Sequence, residues 1–109
     1  MPTISKGRTP VTFINVFTVA PENQDRLIKL LAEVTEQNVR HHAGFISASL
    51  HRSVDGRKVT MYAQWAGIEA YESMRRNPGP APALERALQI ATFDPGMYEV
   101  AEIFLPDGK

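Results

Sequence analysis

Asp55 and Gly56 stand between two runs of strand-forming residues, 45–54 and 57–66. An Asp-Gly pair tolerates the positive φ angles of a two-residue β-turn, so it predicts a hairpin and, through the turn, its register. That register sets Leu50 opposite Met61, Ala48 opposite Ala63 and Ile46 opposite Trp65, six residues that share one face. The other face then carries Phe45, Ser47, Ser49, His51, Tyr62 and Gln64.

The flanking segments extend this hairpin into a fold. Residues 1–10 are polar, contain Pro2, Gly7 and Pro10 and lack any period, which predicts a flexible N-terminal arm. VTFINVFTV, residues 11–19, is apolar on both alternating sets apart from Asn15 and suits a strand covered on both faces. Pro21 fits the first turn of a helix, and Leu27, Leu30, Leu31, Val34 and Asn38 recur at helical spacing. That helix is expected over 21–42, ended by Gly44. A second helix over 67–77 would bury Ile68, Tyr71 and Met74 before NPGPAP, residues 77–82, breaks it. Pro82 opens a short third helix with Leu84 and Leu88 inward, and a last strand covers 97–105. The domain spans 11–105, with 106–109 as a tail.

The resulting order, β-α-β-β-α-β, is the α+β ferredoxin-like plan: an antiparallel sheet with helices on one face. The helix-free face, bearing Phe45 and Tyr62, is too apolar to leave wet. A second copy would cover it, giving a homodimer with an isologous interface and a dimeric α+β barrel.

With 109 residues the chain holds one core and leaves no room for a separate dinucleotide-binding domain. Twelve basic and twelve acidic residues cancel and the basic ones are scattered, so nucleic acid is not an expected partner. There is no cysteine, hence no disulfide, thiolate nucleophile or thiolate metal site. No apolar run approaches a membrane span, and a soluble cytoplasmic protein is expected. His41 and His42 are adjacent on one helix and His51 lies on a strand, which is not a metal-ligand pattern. No phosphate loop or dinucleotide fingerprint is present, so no cofactor is expected.

Asn15 interrupts an otherwise apolar strand, and a buried amide without partners costs roughly 1–3 kcal/mol. Either a neighbouring loop or water satisfies it, or it serves a ligand. Trp65, the single tryptophan, and Tyr71 each read alone as packing residues. Converging with Asn15 on an apolar cavity, however, an amide, an indole and a phenol suit a flat aromatic ligand with few polar groups. Glu85 and Arg86 on the third helix read either as a solvated pair or as one residue at the cavity mouth and the other in solvent.

VTFINVFTV, the AGF of 43–45, FISASLHRSVDG and MYAQWAGIEAY at 61–71 together resemble the antibiotic biosynthesis monooxygenase family of small dimeric barrels. Within it the likeness is to the anthrone monooxygenases of actinorhodin and nogalamycin type. The resemblance implies a monooxygenase that oxidises an anthrone-like aromatic to a quinone with O2 as cosubstrate and no metal, flavin or haem. It implies catalytic roles for Asn15 and Trp65 and substrate contacts for Tyr71, Met61 and Arg86. Met61 departs from the actinorhodin type, which has Asn there, and the arginine of that type aligns between Glu85 and Arg86. The haem-degrading branch uses a helical His, and this chain has none after His51. The same fold also hosts non-catalytic small-molecule-binding or stress-response dimers and quinol-handling or isomerase-like enzymes, which stand as the alternatives.

Overall fold

In β1 (Gly7–Val19) the odd positions Val11, Phe13, Asn15, Phe17 and Val19 are all buried, while Ile14 and Val16 are only half-buried. A computed structural model describes residues 7–107 of the chain. The strand already runs at Gly7, so the expected arm is shorter than 1–10. Its residues 1–6, like 108–109 of the tail, lie outside the described residues.

The sheet is antiparallel and four-stranded in the order β2-β3-β1-β4, with β2 (Phe45–Arg52), β3 (Lys58–Trp65) and β4 (Ala91–Val100). The helices α1 (Gln24–Gln37), α2 (Ile68–Arg76) and α3 (Ala81–Leu88) complete the α+β ferredoxin-like order. No helix among the described residues is long and apolar enough to cross a membrane.

The hairpin register is as expected for Leu50 with Met61 and Ala48 with Ala63. The turn itself is longer than two residues. Ser53 donates its N–H to Lys58 O at 3.0 Å, and Gly56 alone takes a positive φ, of 82°. Asp55 instead uses its carboxylate, which accepts from the Arg57 N–H at 3.0 Å and from the Ser53 hydroxyl at 2.8 Å. At the far end a bulge between Phe45 and Ser47 sets Phe45, not Ile46, opposite Trp65. A bulge inserts one residue and reverses every face beyond it. Phe45 therefore packs edge-on against Trp65 on the helix side, at 5.3 Å between ring centroids, and Ile46 is exposed. The helix-free face loses an aromatic and carries Thr12, Ile14, Val16, Ser49, Tyr62 and Tyr98.

Several element bounds also differ from expectation. The chain passes through a 3-10 turn at Pro21–Asn23 before α1, and α1 ends at Gln37, followed by a second 3-10 turn at Val39–His41. The inward stripe Leu27, Leu31, Val34 would place Asn38 in the core if the helix continued; breaking there turns Val39 inward to the Trp65 cluster instead. In α3 it is Ala83 and Ala87 that are buried, whereas Leu84 is half-buried and Leu88 exposed; small residues let α3 sit close to α1. Ile68 of α2 is likewise exposed. The last strand is Ala91–Val100 rather than 97–105, and 101–106 has no regular structure. Asp94-Pro95-Gly96 reads locally as a turn, yet Pro95 pairs opposite Asn15. An edge strand tolerates a residue without N–H, because one side of its ladder has no neighbour.

The core divides into two clusters. Phe17, Val19, Leu27, Leu31, Val59, Ala87 and Ala91 fill one end, and Val11, Phe13, Ala63, Trp65 and Met74 fill the other. Met61 packs against both, and between them lies a cavity.

Candidate active site

Strand alternation and pairing build the floor of this cavity. Asn15 faces Met61 across the β1–β3 ladder, and four residues further along β3, about 13 Å at strand rise, comes Trp65. Asn15, Met61, Ala63 and Trp65 thus line one side of a single cavity, with Phe13 and Phe17 from β1 and Phe93 from β4. Leu31, Val34 and Thr35 of α1, Tyr71, Met74 and Arg75 of α2, and Leu84 of α3 supply the helix side. The atom-free space is about 610 Å³ counting the opening to solvent.

Aromatic rings fix the Trp65 end. Trp65 is 1% exposed and meets Phe45 and Tyr71 edge-on, the latter at 5.9 Å, while Tyr71 stacks on Phe13 at 4.7 Å. Edge-to-face and offset contacts at these spacings are the favoured aromatic geometries and hold the indole plane in place. Gly44 sets the position of α2 against this box. Its φ is 87°, and a Cβ there would collide with the Ala70 Cβ, so only glycine lets the turn before β2 approach the helix that carries Tyr71.

The polar groups are few. Thr35 spends its hydroxyl on the Leu31 carbonyl at 2.8 Å. Tyr71 Oη accepts an N–H from Arg75 at 3.2 Å, one helical turn on. Asn15 is 5% exposed, and its Oδ1 has no hydrogen-bond partner among the described residues. The amide oxygen is thus not consumed by the fold. A buried polar group left unsatisfied is uncommon enough to ask for a ligand or bound water as its partner.

A profile of the family described as antibiotic biosynthesis monooxygenase matches residues 10–85. The chain belongs to this family. Among antibiotic biosynthesis monooxygenases, it is 38% identical over 104 residues to the tetracenomycin-F1 monooxygenase of Streptomyces glaucescens, covering 95% of this chain and 93% of that one. It is similar to SnoaB of Streptomyces nogalater, a cofactor-independent oxygenase, at TM-score 0.71 and 25% identity over 91% of this chain and 99% of that chain. It is also similar to the ActVA-Orf6 monooxygenase of Streptomyces coelicolor, solved with nanaomycin D, at TM-score 0.79 and 26% identity over 92% and 95% of the two chains.

Of the residues singled out from the sequence of this antibiotic biosynthesis monooxygenase, the structure brings Asn15, Met61, Trp65 and Tyr71 to one cavity. It does not bring Arg86, which is exposed on α3 and outside the lining; the guanidinium at the cavity belongs to Arg75. Two further lining residues escaped sequence reasoning, Phe13 and Arg75. Phe13 was hidden among the apolar residues of its strand. Arg75 had a visible signal in its i,i+4 spacing from Tyr71, which places the two on one helix face. The histidines stay apart: His51 is exposed beside the Ser49 hydroxyl at 2.9 Å, and His41 contacts the Glu36 carbonyl at 3.0 Å. Among the described residues no group of three or more His, Cys, Asp or Glu is placed to hold a metal ion.

Proposed function

We propose that this chain oxidises a hydroxylated polycyclic aromatic, an anthrone or close relative, to the quinone with O2 and no cofactor. The observation that carries the reading is a cavity walled by aromatic and aliphatic side chains in which one buried amide, Asn15, has its Oδ1 left without a partner among the described residues. The likeness to a cofactor-independent oxygenase, to an oxygenase that binds nanaomycin D and to a tetracenomycin-F1 monooxygenase supports it.

The chemistry needs little beyond binding and charge. An anthrone loses a ring CH2 proton to water and becomes a delocalised anion. Asn15 donates its amide N–H to the developing oxyanion, and a fixed donor in a dry site stabilises such charge far more than it would in water. One electron passes from the anion to O2, the resulting radical and superoxide combine to form a C–O bond, and protonation gives a hydroperoxide. Loss of the second ring proton with cleavage of the O–O bond leaves the carbonyl and one water. One O2 is thus consumed per quinone, with no external reductant. Trp65 forms the end wall that orients the rings and excludes solvent, and Tyr71 and Met61 border them.

The test is purified protein, dialysed against chelator, given dithranol in air-saturated buffer while O2 and quinone absorbance are followed. One O2 consumed per quinone, at a rate indifferent to chelator, is the expected result. Turnover that appears only with added flavin or metal would overturn the proposal.

The assembly proposed is a homodimer through the helix-free sheet face. Ile14, Val16, Tyr62 and Tyr98 on that face support it, as do Phe104 and Leu105 in the segment after β4, 87% and 80% exposed. Sedimentation at micromolar concentration is expected to give twice the chain mass, and a stable monomer would sink this assembly.

A further inference from the structure

We infer that Met61 is an oxygen-atom acceptor in this site: in a fraction of turnovers its thioether takes one oxygen from the ring hydroperoxide, becomes the sulfoxide and shuts that active site. The inference rests on the proposal that the cavity oxidises an aromatic anion with O2. Its starting point is the set of oxidisable side chains around the cavity. The chain has no cysteine, so thioethers are its sulfur nucleophiles, and two of its four methionines, Met61 and Met74, line the cavity. They sit at different places in it. Met74 is buried on α2 in the Trp65 cluster, whereas Met61 pairs with Asn15 across the β1–β3 ladder, with about 5 Å between their Cβ atoms.

The ring carbon that takes oxygen lies across the central ring from the carbonyl that Asn15 addresses, so the hydroperoxide forms one ring width from the Asn15–Met61 pair. Met61 is unbranched, with three rotatable bonds, and packs against both core clusters, which lets its sulfur swing to that oxygen. The step balances. A sulfur lone pair attacks the outer peroxide oxygen, the O–O bond breaks, and the proton of the outer oxygen passes to the inner one, which stays on the ring as an alcohol. The hydroperoxide is reduced by two electrons and the thioether oxidised by two, so O2 ends as one ring hydroxyl and one sulfoxide oxygen, and no quinone leaves. The sulfoxide oxygen is a hydrogen-bond acceptor opposite Asn15, where it competes with the substrate oxyanion for the amide N–H. It also sets a polar group against the rings, and both effects stop the reaction.

The test runs repeated additions of dithranol under heavy-isotope O2, with catalase and superoxide dismutase present to remove peroxide and superoxide released to solvent, and then maps the methionines by peptide mass spectrometry. Activity is expected to fall with the number of turnovers completed. Met61 should gain one heavy oxygen in a fraction of chains that matches the activity lost, while Met74, in the same cavity, and Met97, outside its lining, stay unmodified. The single tryptophan, Trp65, lines the cavity, so its fluorescence quenching reports binding, and the oxidised protein is expected to bind anthraquinone about two- to tenfold more weakly. Met61→Leu keeps the volume and removes the sulfur. In that variant the activity lost per turnover, a ratio that does not depend on its initial rate, is expected to fall severalfold. Sustained turnover with Met61 unmodified, an equal loss per turnover in Met61→Leu, or Met61 oxidation seen only when catalase is left out would overturn the inference and leave the oxygenase reading intact. No dithranol turnover at all would remove that reading and this inference with it.

Discussion

Replacing Asn15 by Ala separates catalysis from folding, because the two effects have opposite signs. Asn15 is 5% exposed with Oδ1 unpartnered, so the folded state carries the desolvation cost of an unsatisfied amide, about 1–3 kcal/mol. Alanine removes that cost. It also removes the amide's packing, but on the wall of an existing cavity, where no new closed void is created. The net expectation is a fold unchanged or stabilised by about 1 kcal/mol, a rise in Tm of about 4–8 °C for a domain near this size. The reaction should respond the other way. Loss of a preorganised donor to a developing oxyanion costs about 2.7–4 kcal/mol, a hundredfold or more in kcat. Thermal unfolding by circular dichroism and O2 uptake with dithranol measure the two arms on the same preparation. If Asn15→Ala kept most of its kcat while Tm fell, the amide would be structural and the catalytic assignment refuted.

Trp65→Phe should lower kcat less than Asn15→Ala, since a smaller ring keeps part of the end wall; a null effect in steady-state assays would remove Trp65 from ring positioning. Tyr71→Phe should lower kcat by less than about tenfold, the size for a positioning hydrogen bond, and a loss of several hundredfold would assign it proton transfer. Gly44→Ala meets both a φ of 87° and the Ala70 Cβ, and should cost about 2–4 kcal/mol in urea unfolding. The Arg57 N–H and the Ser53 hydroxyl hold the Asp55 carboxyl below its ordinary value in the folded chain. The unfolded chain therefore binds that proton more readily, and the stabilisation is present above the ordinary carboxylate range and lost as pH falls through the lowered value. Asp55→Asn should flatten that acid limb of a stability-against-pH curve.

Local chemistry determined a good deal of this protein by itself. The Asp55-Gly56 signal predicts the register that pairs Leu50 with Met61, even though the turn that realises it is longer, because the positive φ is needed at Gly56 in either case. Alternation along 11–19 marks Asn15 as the one polar residue of its buried set, and the block around Trp65 and Tyr71 carries the family likeness. Tertiary structure decided the rest. The bulge at Ile46 moves Phe45 to the helix side because the Trp65 edge offers it a partner there, a contact that no short-range pattern encodes. Pro95-Gly96 becomes strand because β4 lies at the sheet edge, where a missing N–H leaves no ladder bond unmade. Close approach of α3 to the sheet and α1 selects Ala83 and Ala87 as its inner face, which turns Arg86 away. The guanidinium at the cavity is then Arg75, since Tyr71 and Arg75 share a helix face that only packing against Trp65 and Phe13 directs inward.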